Sequence, residues 1–90
     1  MSRYQFHIRE NGLLIEDDEG QDFQDSDRVR REAVATGASI AREVFTNGSA
    51  HRVVVQVNED GSPFMKVSIS LDVEDQRPLP GSGATPVRKA

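Results

Sequence analysis

HRVVVQVNEDGSPFMKVSISL, residues 51–71, decides the fold. Val53, Val55 and Val57 fall on one face of an extended chain, while Arg52, Val54 and Gln56 fall on the other. After Glu59-Asp60-Gly61-Ser62 the alternation resumes. Met65, Val67, Ile69 and Leu71 point inward; Phe64, Lys66, Ser68 and Ser70 point outward. An Asp-Gly pair between two alternating runs is a hairpin turn, because both residues tolerate positive φ. Pro63 stands at the start of the second strand, where its missing N–H does least harm.

Upstream of this hairpin lies a helix. Asp25 or Ser26 caps it, acids cluster at its positive end, and it is expected to run to about Phe45 before Asn47-Gly48 stops it. Val29, Ala33, Gly37, Ile40 and Val44 form its apolar stripe, widened by Val34, Ala38, Ala41 and Phe45. Gly37 costs up to about 1 kcal/mol of helix propensity, so its place in the stripe points to close approach to a sheet. Arg28 and Glu32, four residues apart, are placed to pair weakly.

Upstream again, Arg3–Arg9 alternates: Tyr4, Phe6 and Ile8 on one side, Arg3, Gln5, His7 and Arg9 on the other. Asn11-Gly12 is a second hairpin turn, and Leu13-Leu14-Ile15 its short return strand. Residues 17–24 read as a loop, with Gly20 as the turn and Phe23 as the one apolar anchor. The order is ββαββ, an α+β fold with a four-stranded, mainly antiparallel sheet and one helix on one face. A strand order of 2-1-3-4 makes it fully antiparallel. Residues 1–74 form the domain. Residues 75–90, with Pro78, Pro80, Gly81, Gly83 and Pro86, read as a disordered basic tail.

Ninety residues bound this to one small domain, and the absence of cysteine excludes a disulfide framework or a thiolate metal site. A reducing, cytoplasmic setting is expected, with no membrane span and no signal peptide at Met1–Arg9. The net charge of −4 is unevenly placed, with seven acids and no base between Glu16 and Asp27. That balance argues against nonspecific DNA coating.

Tyr4-Gln5-Phe6-His7-Ile8-Arg9 with Asn11-Gly12 resembles the opening of a small bacterial family, domain of unknown function 6894. Asp17-Asp18-Glu19-Gly20 is similar to that family's acidic Asp-x-x-Gly turn, and Asp25–Ala33 to its helix entry. Val53–Leu71 is similar to its closing valine-rich strands. The resemblance covers roughly residues 3–71; Gly37 and the tail depart from it. It implies a small bacterial cytoplasmic protein and no particular reaction.

No catalytic constellation is assembled in the chain. The acidic loop fails as an EF-hand: with Gly20 at position six, Ile15 falls at one and Ser26 at twelve. It reads instead as a solvated turn whose carboxylates keep ordinary pKa values. His7 and His51 read as surface or packing histidines, and no metal site or cofactor is implied. The open sheet face is the informative surface. His7, Arg9, Arg52, Val54, Gln56, Phe64 and Lys66 are its candidate binding residues, basic and free of acids. The preferred function is a non-enzymatic interaction or regulatory module acting through this face or a free strand edge, with a protein partner or a second copy. The alternative is nucleic-acid binding through Arg9, Arg52 and Lys66. A small enzyme ranks third, because one helix on one sheet leaves little room for a pocket.

Overall fold

A computed structural model describes residues 2–77. Its elements are β1 (Ser2–Glu10), β2 (Leu13–Ile15), β3 (Gln21–Phe23), α1 (Ser26–Asn47), β4 (Arg52–Glu59) and β5 (Ser62–Ser70). The order of the main strands is β2-β1-β4-β5, every pair antiparallel, as the alternating runs require. One strand is new. Gln21–Phe23, read above as loop, pairs with Ser2–Tyr4 of β1 and makes the sheet five-stranded. The physical reason is length. β1 has nine residues and β2 only three, so the start of β1 would otherwise leave backbone groups unpaired. The basic tail falls mainly on residues 78–90, outside the described residues; Asp75–Arg77 are exposed and irregular.

The core lies between α1 and one face of the sheet. Tyr4, Phe6 and Ile8 of β1 and Val53, Val55 and Val57 of β4 are buried, as their alternation demands. From the helix come Val29, Ala33, Gly37, Ala41 and Val44, with Ile40 and Phe45 partly buried. The apolar stripe is narrower than its sequence: Val34 and Ala38 face solvent. A single helix on a sheet has one neighbour layer, so only one row is covered. A Cβ on Gly37 would stand 3.0 Å from Ile69 Cδ1 and 3.2 Å from Val55 Cγ2, which confirms close approach as the reason for the glycine. Asp25 is the N-cap, its carboxylate accepting from Asp27 N at 2.9 Å. Arg28 and Glu32 do not pair; Glu32 accepts from Thr36 instead, at 3.4 Å. Among the described residues the single ion pair is Arg3–Asp22.

Four of the five aromatic side chains cluster at one end of this core. Tyr4 meets Phe64 and Phe23 edge to face, with centroids 5.3 and 5.8 Å away, and Phe6 meets Phe23 at 6.0 Å. The Tyr4 hydroxyl donates to Glu59 Oε2 at 3.2 Å. Burial, then the charge of Glu59, raises its pKa above the ordinary phenol value.

Phe64 corrects the sequence reading, which placed it on the open face. Val57 pairs with Met65, but Asn58 pairs with Pro63, so Phe64 is an extra residue in β5. This bulge breaks the alternation and lets Phe64 and Met65 both pack against the core.

Candidate concave binding face

The face of the sheet away from α1 is concave, with a cavity of about 570 Å³. The expectation that one helix on one sheet leaves little room for a pocket is exceeded by this concavity. The strand register builds it row by row. Leu14, Arg9, Val54 and Ser68 lie side by side across β2, β1, β4 and β5. His7, Gln56 and Lys66 form the next row across β1, β4 and β5. Arg52 and Asn58 extend the lining along β4, and Glu16 closes it beyond β2. Side chains directly opposite across an antiparallel pair have Cβ atoms about 4.5–5.5 Å apart, so each row is continuous.

Six of the seven candidate residues are therefore brought together: His7, Arg9, Arg52, Val54, Gln56 and Lys66. Phe64 is not among them. Sequence reasoning missed Leu14, Glu16 and Asn58. Leu14 and Asn58 were within reach of it, since each follows the alternation of its strand; Glu16 depended on how far β2 continues.

The electrostatics are lopsided. Arg9, Arg52 and Lys66 line the cavity, and none makes an ion pair among the described residues. Arg52 reaches only the Ser68 hydroxyl, at 3.5 Å. Glu16 is the one carboxylate in the lining. Gln56 is held in place: its amide donates to Met65 O at 3.2 Å and Val57 O at 3.3 Å.

His7 ties this face to the acidic turn. Its Nδ1 accepts from Asp17 N at 3.1 Å, so the hydrogen of the neutral ring sits on Nε2 as a donor. Asp17 is no solvated loop acid. Its Oδ2 accepts from Phe6 N at 3.1 Å, and its Oδ1 from Glu19 N at 3.2 Å and Gly20 N at 3.0 Å. Partial burial pushes its pKa up, but those three N–H groups outweigh it and hold the carboxyl below its ordinary value. The expectation of ordinary acids throughout the loop is corrected at this residue. Gly20 completes the turn at φ +78°, with Tyr4 O only 2.9 Å from where a Cβ would be.

Asp17 through Gly20 thus forms a built Asp-x-x-Gly turn between β2 and β3, following the β1 strand and Asn11-Gly12 hairpin and preceding the capped helix. The sequence profile of one family matches this succession over residues 3–70, that of the "Domain of unknown function (DUF6894)". The chain belongs to this family. The resemblance seen in the sequence is therefore a membership, and it covers both hairpins, the helix and the whole concave face. No curated protein and no solved structure matches the chain. Among the described residues, no helix is long and apolar enough to cross a membrane, and no group of three or more His, Asp or Glu side chains is placed to hold a metal ion.

Proposed function

We propose that the chain is a non-enzymatic interaction or regulatory module that receives an anionic partner, an acidic protein segment, in its concave sheet face. One observation carries this reading: three cations that make no ion pair among the described residues, Arg9, Arg52 and Lys66, line one cavity beside the His7 donor. Such a cavity focuses positive potential even on a protein of net charge −4. Its volume lies within the roughly 300–1,000 Å³ of ligand sites. Val54 and Leu14 supply apolar contact between the charges. The cysteine-free sequence supports a reducing, cytoplasmic setting for such a module, in keeping with the bacterial one that the family resemblance implies.

Single-stranded nucleic acid is the weaker candidate. Its sequence-tolerant binding needs exposed aromatic side chains to stack on bases, and Phe64 is turned into the core. The test is NMR titration at low salt with poly-glutamate and, separately, a short oligothymidylate. Poly-glutamate is expected to shift the amides of His7, Arg9, Gln56 and Lys66. Charge reversal at Arg9, Arg52 and Lys66 together is expected to abolish those shifts. Shifts with the oligonucleotide alone, or with neither probe, overturn the proposal.

A further inference from the structure

We infer that β2 is a self-pairing edge, and that two copies of this chain join through it into one continuous sheet. The inference does not depend on what the concavity binds.

The first observation is an apolar strand left uncovered. Leu13, Leu14 and Ile15 are 56, 46 and 48 % exposed. Ile15 pairs with Ile8, a buried core residue, so Leu13 and Ile15 lie on the helix side of the sheet. Yet α1 contacts β1, β3, β4 and β5 and does not reach β2. The apolar layer of the sheet runs one strand further than the helix that covers it.

The second observation is the direction of the free backbone groups. β1 presents alternate residues to its two neighbours. Phe6 N faces the β2–β3 side, where it meets Asp17, so Ile8 and Glu10 face that side as well. Their partners Ile15 and Leu13 are the bonded pairs of the hairpin. Leu14, between them, directs its N–H and C=O away from β1. An edge strand with outward backbone groups and apolar side chains is a template for strand addition.

The third observation selects a second copy as the occupant. An antiparallel pairing centred on Leu14 sets Leu14 against the partner's Leu14, Leu13 against the partner's Ile15, and Ile15 against the partner's Leu13. All three apolar side chains meet apolar counterparts, on both faces, under one two-fold axis. A closed isologous contact of this kind limits assembly to two copies. The same register sets Glu16 against the partner's Gly12, which has no side chain. The apolar contact therefore ends without a like-charge pair directly across it. The two concave faces, each rimmed by Leu14 and Glu16, become neighbours in one surface.

The chain has no native cysteine, which makes cross-linking a direct test. Directly bonded residues of an antiparallel pair have Cα atoms about 5.5 Å apart, inside the roughly 4.4–6.8 Å that a disulfide spans. Full-length Leu14→Cys is expected to form a covalent dimer under mild oxidation. Lys66→Cys, on the opposite edge strand, is the control and is expected to form no covalent cross-link. In light scattering the wild-type chain is expected to be a dimer and Leu14→Lys a monomer, with circular dichroism confirming that the exposed substitution leaves the fold intact. A wild-type chain that stays monomeric to millimolar concentration overturns the inference. So does a dimer that survives Leu14→Lys, or a Leu14→Cys chain that cross-links no better than the control.

Discussion

β1 is bonded along both of its edges, and the two edges are built differently. Toward β4 it zips through seven consecutive pairs, Tyr4–Glu59 to Glu10–Val53, without interruption. On the other edge it is met by β2 at one end and β3 at the other, three pairs each. Between them, Gln5, Phe6 and His7 face the five residues Glu16–Gly20, too many for a ladder. A side chain stands in for the missing strand: the Asp17 carboxylate takes the Phe6 N–H that a backbone carbonyl would otherwise take. One edge is held by repetition and the other by a single residue. The comparison shows why an acid-rich segment can be structural at one position and solvated at its neighbours, since Asp18 and Glu19 are exposed.

Phe6→Ala strikes both edges at once, because Phe6 pairs with Val57 on one side and packs on Phe23 on the other. It is expected to cost about 3–5 kcal/mol. In a domain this small that approaches the whole stability, and thermal melting should show a large drop or no cooperative transition. Gly37→Leu strikes only the continuous side, where the helix rests on Val55 and Ile69. Overpacking there is expected to cost about 1–3 kcal/mol, read by chemical denaturation, with hydrogen exchange in β4 and β5 accelerating.

Asp17→Ala strikes only the mended edge. Leaving the Phe6 N–H without a partner is expected to cost about 1–3 kcal/mol. The amides of Phe6 and Gly20 should lose exchange protection while those of β4 keep theirs; equal loss on both edges would refute the division drawn here. The same carboxylate predicts the pH response. Its folded-state pKa is lowered, so its contribution is complete above the unfolded carboxyl value. That contribution fades as pH falls below about 4 toward the folded value. Asp17→Asn is expected to flatten this acid limb in denaturation curves taken across that range. The smallest effect on stability belongs to the concave face. Arg52→Glu and Lys66→Glu should each change stability by no more than about 0.5 kcal/mol, since both side chains are exposed and make no ion pair among the described residues.

Much of this architecture was legible in the chain. Asn11-Gly12 and Asp60-Gly61 mark the two hairpins, and Asn11 and Asp60 adopt the positive φ those turns require. The valine alternation of β4 fixed which residues are buried, and Gly37 announced the close contact of helix and sheet. Six of the seven candidate residues fell on one surface, because a period of two needs no knowledge of partners. β3 escaped because three residues carry no period, and only the unused length of β1 implies a strand there. Phe64 was misplaced because a bulge is a property of a pair of strands, not of either alone.

The sequence by itself determined the elements, their order and the apolar rows, since each follows from local backbone preference and periodicity. The tertiary structure alone decided the fifth strand, the side on which Phe64 lies, the strut made by Asp17 and the curvature of the open face. Each of these depends on register between segments distant in the chain, where one extra residue reverses a side chain and one carboxylate replaces a strand.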